Sequence, residues 1–265
     1  MGLSDFLLPE RLPRQIIYAG DRHCEIFNLA DKRITRHERI AAAALVEPVG
    51  GSWLEIAARL QPLDTGIILN SDPFIFNFFE FDKLPWSRKL LRELVDWKLQ
   101  KIFPENIATY DHRFFRLNKK RVFSILVKKA LLEHLESLFR EKRIPLIYIG
   151  NSTLEIVNRL AKLRRPPDFF VEMDDSSCCL VFQNQGVPIY IRKFKSGSQA
   201  DMAAEISRTV QFVKNNYGCD PRLYCFIDHQ EEISADGIAA ELAEENLSCR
   251  NAAWAGKAPY IPGSQ

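Results

Sequence analysis

The chain has 265 residues, of which 46% are hydrophobic and 26% charged, and its formal net charge is +2. It is long enough for one large domain or two small lobes. The near-neutral balance gives no argument for nucleic-acid binding, and the scattered basic pairs are typical of solvated faces. We find neither the pattern of a secretory leader nor an apolar run of transmembrane length.

Residues 14 to 46 predict three short strands joined by tight turns. Gly50-Gly51-Ser52 precedes a helical stretch whose apolar face runs from Trp53 to Leu60 and which Pro62 ends. Thr65 to Leu69 is a compact apolar segment of the kind buried in a mixed sheet. The first part of the chain therefore predicts three strands, a helix and a fourth strand.

The aromatic run from Phe74 to Phe81 predicts another strand, with residues 74, 76 and 78 on one face and 79 and 81 on the other. Two apolar faces indicate burial on both sides or one face left for a partner, and the core interpretation is favoured. Ser87 is the expected N-cap of a helix that ends before Pro104. A hairpin around residues 118 to 120, a second amphipathic helix and a strand at Leu146 to Ile149 complete this region.

Ser152-Thr153-Leu154-Glu155 forms a capping-box pattern that predicts a helix to about Leu163. Three strands then follow, with Gly186 in a turn that needs positive φ. A long helix closed by Gly218, a strand at Arg222 to Ile227 and a helix from about Ser234 to Glu245 come next. The predicted division is a first lobe over 14–163 with an inserted subdomain over about 73–149, a second lobe over 168–250, and a loose tail over 251–265.

None of the six cysteines forms a Cys-x-x-Cys pair, and Cys178 and Cys179 are adjacent on a predicted strand, so their side chains point to opposite faces. We therefore expect reduced, mostly buried thiols rather than a metal site. The five histidines share no ligand spacing, and no Walker loop or dinucleotide fingerprint is present.

The pattern of three strands and a helix occurs twice, which resembles the actin-like ATPase superfamily with its two ribonuclease-H-like lobes. The segment from Pro85 to Pro104, with Glu93-Leu94 and Trp97, resembles the inserted subdomain of the PilM family, FtsA-like proteins of type IV pilus machines. Glu205 to Phe212 resembles a second helix of that family. The cytoplasmic domain of the GspL family, in type II secretion, shares the architecture. The resemblance implies an α/β fold of two lobes, with a βαββαβ insertion in the first and a reduced second lobe.

Both hairpins that bind phosphate in that superfamily are altered here. Where the family has Asp-Ile-Gly, this chain has Tyr18, Ala19 and Gly20 with Asp21 next, so that only the glycine is kept. The second hairpin has Glu172, Met173 and Asp174 with Asp175 next. Glycine lets backbone N–H groups approach a phosphate closely, whereas a carboxylate repels it. We therefore expect no bound nucleotide and no other cofactor.

One metal-binding alternative remains open, because Asp21, Glu172, Asp174 and Asp175 are all acidic and carboxylate oxygens suit magnesium or calcium. The competing interpretation, which is favoured, is that these are solvated turn residues.

The resemblance implies a non-enzymatic cytoplasmic scaffold of a type IV pilus machine, peripheral at the inner membrane and held by the cytoplasmic N-terminal tail of a PilN-like single-pass protein. Trp86, Arg88 and Arg92 are the candidate partner-binding residues, as an apolar anchor beside a cationic rim. Other pilus or secretion components are further candidate partners, and homo-oligomerisation is open. The alternatives are a GspL-like component of type II secretion and a divergent actin-like ATPase or kinase.

Overall fold

The computed structural model describes residues 13–20, 23–30, 33–41, 56–104, 106–164, 168–174, 177–195, 197–218, 221 and 224–228. The chain divides into two compact units. One comprises Asp72–Arg143 and is called the insertion unit below; the other, the main unit, contains the chain on both sides of it, Met1–Ser71 and Ile144–Gln265. Asp21, Asp175, the predicted helix at 234–245 and the predicted tail lie outside the described residues.

The main unit holds a five-stranded sheet of order β3-β2-β1-β4-β8. The strand β1 is antiparallel to β2, which is antiparallel to β3, whereas β4 is parallel to β1 and to β8. All five residues of β1 and of β4 are buried, as expected for the centre of a sheet covered on both faces. These strands are β1 Gln15–Ala19, β2 His23–Ala30, β3 Arg33–Ala41, β4 Thr65–Leu69 and β8 Leu146–Asn151.

A second sheet in the main unit repeats this arrangement with one strand fewer. Its order is β11-β10-β9-β12, with β12 parallel to β9 and the other pairs antiparallel. Gln185 and Gly186, with φ of 51° and 77°, form the β10–β11 turn, so the expected positive φ at Gly186 is confirmed. The strands are β9 Phe169–Met173, β10 Ser177–Asn184, β11 Val187–Lys195 and β12 Tyr224–Asp228.

The helix α4, Gln199–Tyr217, covers this second sheet by packing Met202, Ile206 and Val210 against β9 and β10. Ser198 and Asp201 form a capping box at its start. Gly218 ends it with φ of 62°, which confirms the predicted C-cap.

The helix α3, Ser152–Leu160, follows β8 and is buried along nearly its whole length. The sequence pattern placed Ser152 at its cap, but the cap is Asn151, whose side chain accepts a hydrogen bond from the Leu154 N–H at 3.0 Å. Asparagine and serine are equally good caps, so the local pattern alone does not decide between neighbours.

The insertion unit is a three-stranded antiparallel sheet of order β5-β7-β6 with two helices. The predicted cap at Ser87 is confirmed, since its side chain accepts a hydrogen bond from the Leu90 N–H. The elements are β5 Phe74–Glu80, α1 Arg88–Ile102, a short 3-10 helix Ile107–Thr109, β6 Tyr110–Arg116, β7 Arg121–Lys128 and α2 Lys129–Glu141.

The insertion unit ends earlier than the range of about 73–149 expected from the sequence. The strand β8, which the sequence pattern assigned to the insertion, pairs with β4 of the main sheet. Its approach is fixed by a 2.8 Å hydrogen bond from the Thr65 N–H to the Pro145 carbonyl. An apolar strand carries no local signal of which sheet it joins, because pairing is decided by non-local contacts.

The aromatic strand β5 uses both faces, as its alternation predicts. Phe79 and Phe81 belong to the core that α1 covers, whereas Phe76 and Phe78 stack on Phe123 of β7 at ring-centroid distances of 6.0 and 5.0 Å. Phe79 and Phe123 are buried, but Phe76 and Phe78 are only half-buried. The second face is therefore less completely covered than the face beneath α1.

Candidate functional site

The β1–β2 and β9–β10 turns, called the first and second hairpins, have the same backbone closure. In the first, the Gly20 N–H donates to the His23 carbonyl at 3.0 Å; in the second, the Asp174 N–H donates to the Ser177 carbonyl at 2.8 Å. Gly20 and Asp174 therefore occupy equivalent positions, one residue beyond the end of the central strand of each sheet. The structure confirms that the two hairpins correspond.

The two hairpins meet at Asp174, a side chain that is only 3% exposed. Its Oδ2 accepts hydrogen bonds from the Tyr18 hydroxyl at 3.3 Å and from the Asn70 side-chain amide at 3.1 Å. Its carboxylate also faces Gly20, since a Cβ at position 20 would stand 3.2 Å from both Asp174 oxygens. The acidic residue of the second hairpin thus lies directly against the glycine of the first.

Glu172 is a buried carboxylate two residues before Asp174 in the chain. Thr153, near the start of α3, donates its hydroxyl hydrogen to Glu172 Oε2. Cys179 is the register partner of Glu172 on β10, and burial, followed by the charge of Glu172, raises the pKa of the Cys179 thiol to about 12. The interpretation of Glu172 and Asp174 as solvated turn residues is wrong, because both side chains are enclosed.

Sequence reasoning missed two asparagines that complete this region. Asn70 follows β4, where its N–H donates to the Ala19 carbonyl at 3.1 Å, and Asn151 ends β8, where its side chain donates to the Asn70 carbonyl at 3.2 Å. Both are polar residues at the carboxyl ends of apolar parallel strands, which is where binding sites of open α/β sheets lie. That position is the signal that would have identified them.

The described residues contain no group of three or more His, Cys, Asp or Glu side chains arranged to hold a metal ion. Of the four acids considered for a metal site, only Glu172 and Asp174 are described, and Asp21 and Asp175 lie outside this part of the chain. Both described carboxylates accept hydrogen bonds from protein donors, Glu172 from Thr153 and Asp174 from Tyr18 and Asn70.

The candidate partner-binding residues lie in the insertion unit, on α1 and the residues that lead into it. Trp86 precedes the Ser87 cap and is 91% exposed, so its indole ring protrudes rather than lining a groove. Arg88 and Arg92 are exposed, and the Arg92 guanidinium lies 5.4 Å from the Phe114 ring centroid.

None of the helices in the described part of the chain is long and apolar enough to cross a bilayer.

No protein-family model and no curated protein sequence matches the chain. Solved structures do match. The PilM-PilN type IV pilus biogenesis complex aligns with a TM-score of 0.66 and 11% identity, over 89% of this chain and 86% of that chain. The cytoplasmic domain of EpsL, an inner membrane component of the type II secretion system of Vibrio cholerae, aligns with a TM-score of 0.58 and 8% identity, over 83% and 84%.

A protein of unknown function with an actin-like ATPase fold from Bacteroides thetaiotaomicron aligns with a TM-score of 0.57 and 8% identity, over 90% of both chains. Such identities report the fold alone, and at that level the resemblance to PilM and to the type II secretion protein is confirmed. The two related sheets, the insertion and these alignments lead to one conclusion: the chain has the actin-like ATPase fold.

Proposed function

We propose that this protein is a non-enzymatic scaffold of a type IV pilus machine, in which the nucleotide site of the actin-like fold has been lost. The observation that carries this proposal is the position of Asp174 against Gly20, with Tyr18 and Asn70 bound to the same carboxylate. In the superfamily, phosphate is bound between these two hairpins. Here a buried aspartate lies between the two hairpins, and it is held there by hydrogen bonds from Tyr18 and Asn70.

Electrostatics supports the same conclusion. A phosphate oxygen and a carboxylate about 4 Å apart, at an effective dielectric of about 20, repel each other by roughly 4 kcal/mol. Such a repulsion weakens binding by about a thousandfold, since each 1.4 kcal/mol is a factor of about ten. Asp174 is buried and hydrogen-bonded from two elements, so moving it aside requires breaking both contacts.

Titration of the full chain with millimolar Mg-ATP tests the loss of the nucleotide site. We expect no saturable binding heat and no shift of the melting temperature of this chain. A nucleotide-binding actin-like protein, measured in the same way, is the positive control. Asp174→Asn, which keeps the shape and removes the charge, is the matched variant, and it should also fail to bind because Tyr18 and Asn70 still fill the site. Saturable binding by the unmodified chain would favour the alternative of a divergent ATPase or kinase.

The second part of the proposal is that the chain lies on the cytoplasmic side of the inner membrane and binds the cytoplasmic tail of a PilN-like protein there. The structural similarity to a PilM-PilN complex supports a partner of this kind. The similarity to the EpsL cytoplasmic domain keeps a role in type II secretion as the alternative.

Within the insertion unit, β5 is the surface best suited to such a tail. It is an edge strand of its sheet, and it presents the half-buried rings of Phe76 and Phe78. An extended peptide can add its main chain to such an edge and place alternate side chains against the aromatic face. Trp86, Arg88 and Arg92 remain the alternative, but the protrusion of Trp86 does not suit an anchor that must enter a groove.

A synthetic peptide of the N-terminal cytoplasmic segment of a PilN-like protein from the same genome is the probe for this part. We expect saturable binding in fluorescence anisotropy, with a scrambled peptide as control. Loss of binding in Phe78→Ser, with retention in Trp86→Ala, would support β5 as the site. Absence of binding to the unmodified chain would contradict the PilN-like partner while leaving the nucleotide result untouched.

A further inference from the structure

The outward face of α1 carries large apolar side chains that are not among the described residues of the insertion unit's core. Leu90 and Trp97 are seven residues apart in the chain, so they lie on the same face of the helix. Their side chains are 54% and 48% exposed. The helix buries a different face, through Leu91, Val95 and Leu99. The apolar surface of α1 is therefore more extensive than its packing in the insertion unit requires.

Trp86 is a further exposed apolar side chain, immediately before the N-cap of the helix. It occupies the position before the N-cap, where an apolar residue commonly packs against the fourth helical residue, here Leu91. Leu91 is buried, but Trp86 is 91% exposed and so takes no part in such a contact. A fully exposed tryptophan at a position that offers an internal packing partner indicates a use outside the insertion unit.

Lysine side chains surround the second tryptophan. The Lys101 ammonium lies 3.8 Å from the Trp97 ring centroid and the Lys98 ammonium lies 5.6 Å from it. The helix α1 contains five lysine and arginine residues against two acids, Glu93 and Asp96. One of those acids, Asp96, is hydrogen-bonded to His112 Nε2 at 2.8 Å. The exposed Trp97 ring thus lies beside two positively charged side chains.

The same charge pattern holds for the whole insertion unit. Residues 72–143 contain 16 lysine and arginine residues against 10 aspartate and glutamate residues, a formal charge of +6. The remainder of the chain contains 20 basic and 24 acidic residues, a formal charge of −4. The overall charge of +2 therefore conceals a basic unit and an acidic one.

We propose that Trp86, Leu90, Trp97, Lys98 and Lys101, here called the tryptophan face, form a contact surface for an anionic phospholipid membrane. Tryptophan and lysine together are the residues enriched at membrane interfaces, where the indole ring lies among the headgroups and the ammonium group pairs with lipid phosphate. A helix with this composition lies in the plane of the interface. The positive charge of the insertion unit complements the negative charge of the lipid headgroups.

A membrane fits these observations better than an acidic peptide does. Peptide recognition uses a groove or pocket that encloses an anchor side chain. Trp86, at 91% exposure, has no such enclosure, and an indole that protrudes can insert into a soft lipid surface without one. This proposal goes beyond the scaffold function and depends neither on the loss of nucleotide binding nor on a PilN-like tail.

Flotation of the full chain with phosphatidylcholine vesicles, with and without phosphatidylglycerol, tests the proposal. We expect binding only to the anionic vesicles, with affinity that falls as salt concentration rises. Trp86→Ala combined with Trp97→Ala should weaken binding by about tenfold or more. Lys98→Gln combined with Lys101→Gln should weaken it by about fivefold for each lysine.

Matched controls separate this face from the rest of the protein. Lys119→Gln with Lys120→Gln removes two exposed lysines from the β6–β7 turn of the same basic unit, and Phe212→Ala removes an exposed aromatic ring from α4. Both controls should bind vesicles as the unmodified chain does. Where the double tryptophan variant unfolds, Trp86→Ala alone serves, because its side chain is almost entirely in solvent.

Tryptophan fluorescence gives a second readout. Anionic vesicles should shift the emission of the unmodified chain to shorter wavelength, and the shift should be absent from the Trp86→Ala, Trp97→Ala variant. Failure to bind anionic vesicles overturns the proposal, as does equal weakening by the control lysines. Binding of polyglutamate but not of vesicles would overturn it in favour of an acidic protein partner, and it would leave the Mg-ATP and tail-peptide results unaffected.

Discussion

The first and second hairpins share the same backbone hydrogen bond at the turn, but their side chains differ. Tyr18 pairs with Glu25 in the first, and Glu172 pairs with Cys179 at the equivalent register in the second. At this register position the acid therefore lies on the second strand of the first hairpin but on the first strand of the second hairpin. At the turn the contrast is sharper, because glycine in the first hairpin faces aspartate in the second. The fold dictates the closure of each turn but leaves the side chains free to fill the space between them.

The two carboxylates also differ in their surroundings. Burial raises the pKa of Glu25, but contacts with His23 and His37 outweigh it and lower the pKa to about 2. Glu172 accepts a hydrogen bond from the neutral Thr153 and lies next to the Cys179 thiol, whose pKa burial raises to about 12. The first hairpin therefore holds its acid beside two imidazoles, those of the buried His23 and of His37 on β3, whereas the second holds its acid beside a hydroxyl and a thiol.

The largest effect should come from the helix that supports the second hairpin. Besides Thr153, α3 carries Glu155, whose pKa burial raises to about 7 from 4.5, against the lowering effects of the Tyr148 hydrogen bond and of Lys162. Between pH 4.5 and about pH 7, Glu155 is protonated in the folded chain but has lost its proton in the unfolded chain. This stabilisation is complete below pH 4.5 and is lost as the pH rises through 7. Urea titrations should show that the free energy of unfolding decreases by roughly 3 kcal/mol as the pH rises across this range.

Glu155→Gln is the control for this pH dependence. Glutamine keeps an oxygen acceptor for the Tyr148 hydroxyl and cannot ionise. The variant should therefore lack the decrease in unfolding free energy between pH 4.5 and 7. If the variant shows the same slope as the unmodified chain, the slope arises from another group.

A smaller effect is expected at the contact between the hairpins. Gly20→Ala places a Cβ 3.1 Å from the His23 ring and 3.2 Å from both Asp174 oxygens, which is closer than ordinary packing. Overpacking of this kind should lower the unfolding free energy by about 1–3 kcal/mol. Denaturant titration measures the loss.

A double-mutant cycle makes this prediction specific to the contact. In an Asp174→Gly background the carboxylate is gone, so Gly20→Ala should cost measurably less than it does in the unmodified chain. An identical cost in both backgrounds would contradict the direct apposition of the two hairpins.

Local features of this fold were predictable and the contacts between its parts were not. The caps at Ser87 and Gly218 and the turn at Gly186 follow from hydrogen bonding and φ preferences within a few residues, and all three are confirmed. The hydrogen bond from Asn70 to Asp174 joins residues 104 positions apart, for which the sequence carries no periodic signal. Likewise, membership of β8 in the main sheet depends on pairing with β4.

The candidate site divides in the same way. The resemblance identified Tyr18, Gly20 and Asp174 as one altered site, and the structure brings these three together. It did not reveal that Asp174 and Glu172 are enclosed, because burial of a charged turn residue depends on the opposite lobe supplying donors.

The Tyr18 hydroxyl should contribute less than the packing at Gly20. Its hydrogen bond to Asp174 Oδ2 is 3.3 Å long, near the limit for such a contact, so Tyr18→Phe should cost about 1 kcal/mol. Asp174→Asn in the same cycle keeps an oxygen acceptor and tests whether the charge strengthens the bond. Additive losses would show that the hydroxyl and the carboxylate do not interact, and the contact between the hairpins would then rest on the packing of Asp174 against Gly20.

The smallest expected response comes from the cysteines at equivalent hairpin positions. Cys24 pairs with Ala19 in the first hairpin, and Cys178 pairs with Met173 in the second. Burial, and secondarily the charge of Glu25, raises the pKa of Cys24 to about 12, so almost none of it is thiolate at neutral pH. Alkylation of the native chain with iodoacetamide, followed by peptide mass spectrometry, should leave Cys24, Cys178 and Cys179 unmodified, whereas denatured chain should be labelled at all three. Labelling of Cys24 alone in the native state would mean that the first hairpin opens more readily than the second.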